Sequence, residues 1–360
     1  MKSFLLKTKN GSLGVGDKYP IRINCNIGIN EVSCYEYEID KINTIFSNKE
    51  THPDLMMDLS TITTEKPIYK YLIDNFEVVV GTVPVYQVFN KEKGVLKKKF
   101  LDYLEFLAEV GVSFFTLHFT ADMDIYELAK KTRGIPVTSR GGSIVLSDTL
   151  INQGKENIIA ACIDEIIDIA LNNDVAISLG TTFRPAGIKD SCDIVHIMET
   201  KRQLEYCKHL QSKGVKVIVE NIGHVDIDSL KKHSELLREF GAPIMPLGPL
   251  ITDNAIGYDH IASAIGASFS SYFGSTHIIN CITPTEHMSS YFSIEDIIVG
   301  IRTAKVVAHS INLLKFEEYK QIDYNIYDER VRIESCLLNE QDCSRCSIYC
   351  PLKINQKEIK

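Results

Sequence analysis

The stretch KENIIAACIDEIIDIALNNDVAISLG, residues 155–180, decides the architecture. From Lys155 to Leu171, residues Ile159, Cys162, Ile163, Ile166, Ile167 and Ala170 share one stripe at helical period, while Glu156, Asp164 and Asp168 fall elsewhere. Val175-Ala176-Ile177-Ser178-Leu179 follows as a short apolar run of strand length. A helix feeding a short apolar run is the repeating unit of a parallel sheet with crossover helices.

The unit recurs in both directions. Apolar runs fall at Leu55-Met56-Met57, at 78–83, at 114–118 and at Ile135-Pro136-Val137-Thr138, ahead of the run at Val175. Further runs occupy 215–219, 244–247 and 277–282, which makes eight. Phe100 to Val110 repeats the helical stripe through Leu101, Leu104, Leu107 and Ala108. Ile294 to Leu314 does so at greater length, with Ser293 and Asp296 at capping-box spacing. No Gly-rich dinucleotide fingerprint follows any run, which disfavours an open doubly wound sheet. The expected fold is therefore α/β, a (β/α)8 TIM-type barrel with a small C-terminal cysteine tail. Residues 1–50 read as a segment leading into the barrel, 51–315 as the barrel, and 316–360 as a connector and cysteine tail. Glu317 to Arg332 is charged and Tyr-rich and shows no core stripe.

Composition bounds the function. Hydrophobic residues are 44% and charged residues 24% of 360, which is globular composition. A net charge of -8, with no basic run longer than Lys97-Lys98-Lys99, argues against a nucleic-acid partner. MKSFLLKTKN is too short in apolar residues for a secretory leader. The uncharged stretch His260 to Thr285 is rich in Ser, Gly, Thr and Asn and does not read as a membrane span. A cytoplasmic location follows as the expectation, and with it reduced thiols. Cys25, Cys34, Cys162, Cys192, Cys207 and Cys281 are scattered and read as buried hydrophobes. Cys336, Cys343, Cys346 and Cys350 crowd the last 25 residues.

In a barrel the residues just after each strand share one cavity. Here they are Asp58, Tyr86, His118, Ser139-Arg140-Gly141-Gly142, Gly180, Arg184, Glu220, His224, Glu286 and His287. Ser139-Arg140-Gly141-Gly142 combines a hydroxyl, a guanidinium and two permissive backbone positions, which suits a phosphate or carboxylate. It also reads as an ordinary Gly-Gly turn. Arg184 is a second anion-binding candidate. His224 and His287 could share one divalent metal, with water, carboxylate or substrate completing its shell. In the tail, Cys343, Cys346 and Cys350 form C-x2-C-x3-C. Three thiolates can hold three irons of a [4Fe–4S] cluster and leave the fourth open to S-adenosylmethionine. A zinc knuckle with Cys336 as fourth ligand fits the spacing as well.

From Asn24 onward the chain resembles the phosphomethylpyrimidine synthases, the ThiC family. The strings are NCNIG at Asn24, MDLS at Met57, GTVPVYQ at Gly81, SRGGSI at Ser139, FRPAGI at Phe183, LGPLITD at Leu247, GYDHIASAIGA at Gly257 and TPTEH at Thr283. AKVVAHS at Ala304 and the cysteine tail complete the order. The resemblance implies a barrel with a C-terminal iron–sulfur domain, in a homodimer whose tail covers the partner's barrel mouth. It implies a radical S-adenosylmethionine lyase that rearranges 5-aminoimidazole ribotide, with a reductant such as flavodoxin or ferredoxin. Asn26, Met57, Tyr86, His118, Ser139, Arg140, Gly141, Arg184 and Glu220 are similar to the family's substrate contacts. His224 and His287 correspond to its metal ligands, with zinc the expected metal, and Cys343, Cys346 and Cys350 to its cluster ligands.

The chain departs from that pattern at named positions. Thr181-Thr182 stands where the family has Asp-Gly, Glu220-Asn221-Ile222-Gly223-His224 where it has Glu-Gly-Pro-Gly-His, and Met245 where it has a substrate-contacting Tyr. The last cysteine spacing is one residue shorter than the family's. The expected product is the thiamine pyrimidine phosphate, with 5-hydroxybenzimidazole from the same ribotide as the alternative. A non-catalytic paralogue that binds ribotide or metal is a further reading.

Overall fold

Eight short segments pair side by side and in parallel, in a computed structural model that describes residues 1–154, 156–338 and 343–353. They are β1 (Arg22–Ile27), β2 (Leu55–Asp58), β3 (Val79–Thr82), β4 (Phe114–Leu117), β5 (Ala176–Leu179), β6 (Val217–His224), β7 (Ile244–Leu250) and β8 (Ile278–Asn280). Each of β2 to β6 pairs with its predecessor, β7 pairs with β6, and β8 pairs with β1. The seam between β7 and β8 is bridged by His277 N–H donating to Ile244 O at 2.9 Å and Asn280 Nδ2 donating to Pro246 O at 2.9 Å. The result is a nearly closed (β/α)8 barrel of the TIM type. β2, β3, β4 and β5 are buried at every position, packed inside against the barrel interior and outside against helices. That two-sided burial is why they read as unbroken apolar runs.

Two strand assignments differ from the sequence reading. Ile135–Thr138 is not a strand: Ile135 is exposed, and β4 pairs directly with β5 from Phe114↔Ala176 to Leu117↔Leu179, leaving no slot between them. Pro136 also lacks the N–H a central strand needs. The missing strand is β1, within the segment read as leading into the barrel. Its inward Asn24 and Asn26 interrupt the apolar run that strand reading depends on, while Ile23, Cys25 and Ile27 are buried.

The quoted stretch forms its helix later than its periodicity predicts, at Ile163–Asn173 after a 3-10 turn at Ala160–Cys162, and its Lys155 lies outside the described residues. Its stripe still packs inward, with Ile159, Cys162, Ile166, Ile167 and Ala170 all buried. Lys97–Val110 buries Phe100, Leu104 and Leu107 in the same way. Ser293 and Asp296 form the expected capping box, with Ser293 N–H donating to Asp296 Oδ2 at 3.1 Å and Asp296 N–H donating to Ser293 Oγ at 3.0 Å. An antiparallel hairpin, Ser3–Lys7 with Ser12–Gly16, covers the N-terminal end of the strands. Ser113 Oγ, just before β4, donates to Lys7 O at 2.7 Å, and Lys216 Nζ, just before β6, donates to Leu5 O at 2.9 Å. The opposite, C-terminal strand ends are left for chemistry.

The chain divides into two units, Met1–Ile311 and Asn312–Lys360. In the second, Glu317–Arg332 forms a helix with no buried residue, where the sequence shows only a connector. Ion pairs of spacing i,i+3, Glu317 with Lys320 and Glu329 with Arg332, support it locally. Two 3-10 turns follow at Ser347–Tyr349 and Pro351–Lys353. Among the described residues no single helix is long and apolar enough to cross a membrane.

Candidate active site

The C-terminal strand ends enclose a cavity of about 270 Å³. Asn26 on β1, Met57 on β2, Tyr86 after β3, His118 after β4, Ser139 and Arg140, Arg184 after β5 and Glu220 on β6 all line it. Gly141 stands directly against His118. Thus the nine residues singled out in the sequence converge on one place. Asp58 does not join them, because its carboxylate is buried beside the cavity and accepts from Ser60 N–H, Ser60 Oγ and Tyr69 N–H. It holds the loop after β2.

The polar wall is built from the backbone upward. Ser139 caps the helix Arg140–Ile151, accepting from Gly142 N–H at 3.2 Å, so the helix opens toward the cavity. Its Oγ also bonds His118 Nε2 at 2.7 Å. A Cβ at Gly141 would lie 2.2 Å from His118 Cε1, and one at Gly180 would lie 2.8 Å from Nε2. Two glycines are therefore what let the imidazole sit flat between two backbones. Burial, reinforced by the Arg184 charge, pushes His118 down to about 3, so its ring is neutral. Tyr86 is pushed up to about 12, chiefly by burial, and the Arg140 guanidinium lies 5.5 Å from its ring centre.

Glu220 Oε1 accepts from Thr116 Oγ1 at 2.7 Å and Ser178 Oγ at 2.8 Å. Burial raises its carboxyl above the ordinary range, opposed by those hydroxyls and by Arg184. Arg184 feels Glu220, Glu199 and Tyr86, and its Nη1 donates to Thr181 Oγ1 at 3.2 Å. Asn24 Nδ2 donates to Asn26 Oδ1 at 2.8 Å and to Asn280 Oδ1 at 2.6 Å, which orients the β1 and β8 amides at the cavity floor.

His118 carries a pH prediction. Its folded pKa lies below the unfolded value, so its contribution is complete above about pH 6.5 and is lost as pH falls through about 3. Acidification from pH 6.5 to 4.5 should weaken folding by about 1.4 kcal/mol per pH unit from this group. Urea unfolding should show a slope smaller by that amount in His118→Asn; an unchanged slope would refute the assignment.

At the rim, His224 Nδ1 bonds Asp253 Oδ1 at 2.7 Å and His287 Nδ1 bonds Asp259 Oδ1 at 2.9 Å. Their ring centres are 5.1 Å apart. Carboxylates on both Nδ1 atoms leave both Nε2 atoms available to ligate a cation, the usual outer-shell arrangement for metal-ligating histidines. Glu286 lines the cavity nearby, with its carboxyl raised by burial. In the second unit Cys343, Cys346 and Cys350 are free thiols, with Cys346 exposed and the others half-buried. Cys346 precedes the 3-10 turn Ser347–Tyr349, whose Tyr349 N–H donates to Cys346 O at 2.9 Å.

Residues that the sequence did not single out complete the wall. Asn280 lines the cavity from within the eighth run, where the repeat of Ile-Asn-Cys at 23–25 and 279–281 could have signalled it, since Asn280 and Asn24 are register partners. Buried Glu199 accepts from Thr182 N–H at 2.6 Å, Phe183 N–H at 2.9 Å and Thr120 Oγ1 at 2.7 Å, fixing the turn that presents Arg184. Burial pushes it up to about 7. Met245 is fully buried on β7 beside Glu220 in register and is not part of the cavity lining.

The pattern defining the Radical SAM ThiC family matches residues 5–338. The chain belongs to this family. It is 32% identical over 373 residues to the phosphomethylpyrimidine synthase of Carboxydothermus hydrogenoformans, covering 95% of this chain and 86% of the relative. The synthase of Finegoldia magna is 31% identical over 376 residues, covering 96% and 85%, and that of Clostridium kluyveri has the same figures. Membership of the radical SAM ThiC family implies a [4Fe–4S] cluster and S-adenosylmethionine. Cys343, Cys346 and Cys350 lie just beyond the residues that the family pattern matches.

Proposed function

We propose that this chain is a radical S-adenosylmethionine lyase that rearranges 5-aminoimidazole ribotide to 4-amino-5-hydroxymethyl-2-methylpyrimidine phosphate. The observation that carries the reading is the closure of nine family-like residues round one cavity within a chain of the ThiC family. The opening turn of Arg140–Ile151, with the Arg140 guanidinium, offers N–H groups and positive charge to the ribotide phosphate. Neutral His118 and protonated Tyr86 can hydrogen-bond the sugar or imidazole without adding charge. Glu220, steadied by Thr116 and Ser178, can accept from the substrate's amino group.

Cys343, Cys346 and Cys350 would hold the [4Fe–4S] cluster, which supplies one-electron cleavage of S-adenosylmethionine to a 5′-deoxyadenosyl radical. His224 and His287 would hold a divalent metal, assigned as zinc from the imidazole donors. The enzyme is read as a cytoplasmic homodimer reduced by flavodoxin or ferredoxin, with neither nucleic acid nor membrane as partner.

Anaerobically reconstituted protein with dithionite, S-adenosylmethionine and the ribotide should form 5′-deoxyadenosine and the pyrimidine phosphate, and Cys346→Ala should form neither. Absence of deoxyadenosine from the reconstituted protein would overturn the reading. One observation favours 5-hydroxybenzimidazole as the product instead. Thr181 gives Arg184 a neutral hydroxyl partner where the family pattern supplies a carboxylate, which alters the charge beside the ribose. Mass spectrometry of the product separates the two.

A further inference from the structure

A second group of metal-ligating side chains lies behind the cavity wall. Cys192 sits in the loop after β5, His196 in the first turn of the helix Ile194–Ser212, and His233 on the helix Ile227–Arg238. One donor atom from each lies within 4.8 Å of the others. We propose that Cys192, His196 and His233 form a metal site, taking a borderline-soft divalent cation such as zinc.

The hydrogen bonds fix which atoms are free. Asn221 Nδ2 donates to Gln203 Oε1 at 2.9 Å and to Thr200 Oγ1 at 3.2 Å, which sets the orientation of the Asn221 amide. Its Oδ1 therefore accepts, from His196 Nε2 at 3.0 Å and His233 Nε2 at 2.9 Å. Both rings must be protonated at Nε2, so both Nδ1 atoms carry lone pairs. The rings stack with centres 4.2 Å apart, so the two imidazoles lie face to face beside Cys192. His196 Nδ1 is buried with no partner in a residue that is fully inaccessible. A buried acceptor left unpaired is costly, and a cation would satisfy it. Burial lowers both imidazoles, so they are unprotonated ligands at neutral pH.

Cys192 supplies the third ligand. Its φ of 51° is left-handed, a strained conformation for a non-glycine residue, and it is held there by the fold. Its Sγ makes a long contact of 3.6 Å to Ser229 O and a side-chain hydrogen bond with Ser191, both of which a bound cation would compete with. Burial and the Asp226 carboxylate push the Cys192 thiol up to about 11, so the cation itself must displace the proton, and the thiolate formed on binding then offsets its charge. Two imidazoles, one thiolate and an open fourth position make a zinc donor set, with Asn221 as the shared outer-shell acceptor. Asn221 lies in sequence between Glu220 and His224, so the occupied site would fix the segment that carries a cavity carboxylate and a rim imidazole.

Cobalt(II) titration tests the site in a full-length variant lacking the other candidate ligands (H224A, H287A, C336A, C343A, C346A and C350A). One cobalt per chain should bind with a thiolate-to-cobalt charge-transfer band, and Cys192→Ser in that background should abolish the band. Asn221→Ala should weaken cobalt binding about 10- to 100-fold. A band that survives Cys192→Ser, or no cobalt bound by the folded background variant, would overturn the proposal. Independently, the otherwise unaltered protein and its Cys192→Ser variant, each loaded with zinc and desalted, should differ by one zinc per chain. Equal zinc contents would equally overturn it.

Discussion

Gly141→Ala is expected to cost about 100-fold or more in turnover while the barrel remains folded. The added Cβ would lie 2.2 Å from His118 Cε1 and 2.7 Å from Nδ1, well inside contact distance. The imidazole cannot retreat, because Gly180 leaves no space on its other side: a Cβ there would itself sit 2.8 Å from Nε2. Either the ring tilts, breaking its 2.7 Å bond to Ser139 Oγ, or the first turn of Arg140–Ile151 moves outward. Both responses displace the groups that receive the ribotide. The overpacking should lower stability by about 1–3 kcal/mol, since the strain is local. Gly134→Ala is the control, because no atom lies within 4 Å of its added Cβ, and it should behave as the parent. Deoxyadenosine and product formation, with urea unfolding alongside, check the pair. Gly141→Ala turnover within threefold of the parent would show that the clamp on His118 does not matter.

What the sequence makes legible follows from where each residue's constraint lies. Strands buried on both faces, such as Leu55–Asp58 and Phe114–Leu117, must be apolar throughout, and so their runs stand out. β1 hides because Asn24 bonds Asn26 along the strand and Asn280 on β8, the latter a pairing between strands that are adjacent in space only. Ile135–Thr138 misleads for the opposite reason: its apolar residues lie on a loop before the Ser139 cap. Tyr86, His118 and Arg184 are readable because each falls just past a strand, where the barrel itself supplies convergence, whereas Asn26 and Met57 lie within strands and stand out only through the family-like strings that hold them. Their supports are not readable in this way. Glu199, Asn221 and Gln203 act through bonds to distant backbone or to each other, and no local spacing marks a buried acceptor. Cys192 reads as one scattered thiol, since its neighbours His196 and His233 come from two different helices.

Arg184→Met should weaken ribotide binding about 100-fold or more, as expected when one member of a buried charge arrangement is truncated. Arg184 is the cation that Glu220, Glu199 and Tyr86 all face. Removing it leaves two buried carboxyls without their counter-charge, and breaking a buried pair in this way costs about 3–5 kcal/mol of folding stability. Stability loss alone could mimic a binding defect, so a second substitution is needed to separate them. Adding Glu220→Gln to Arg184→Met removes the unpaired charge but keeps an amide oxygen for the Thr116 and Ser178 hydroxyls, now 2.7 and 2.8 Å from Oε1. The double variant should therefore regain much of the stability lost in urea. It should not regain ribotide binding by calorimetry, because the guanidinium that meets the substrate's anionic group is still absent. Recovery of binding together with stability would assign Arg184 a purely structural role. Binding within threefold of the parent in the single variant would remove Arg184 from the substrate site altogether.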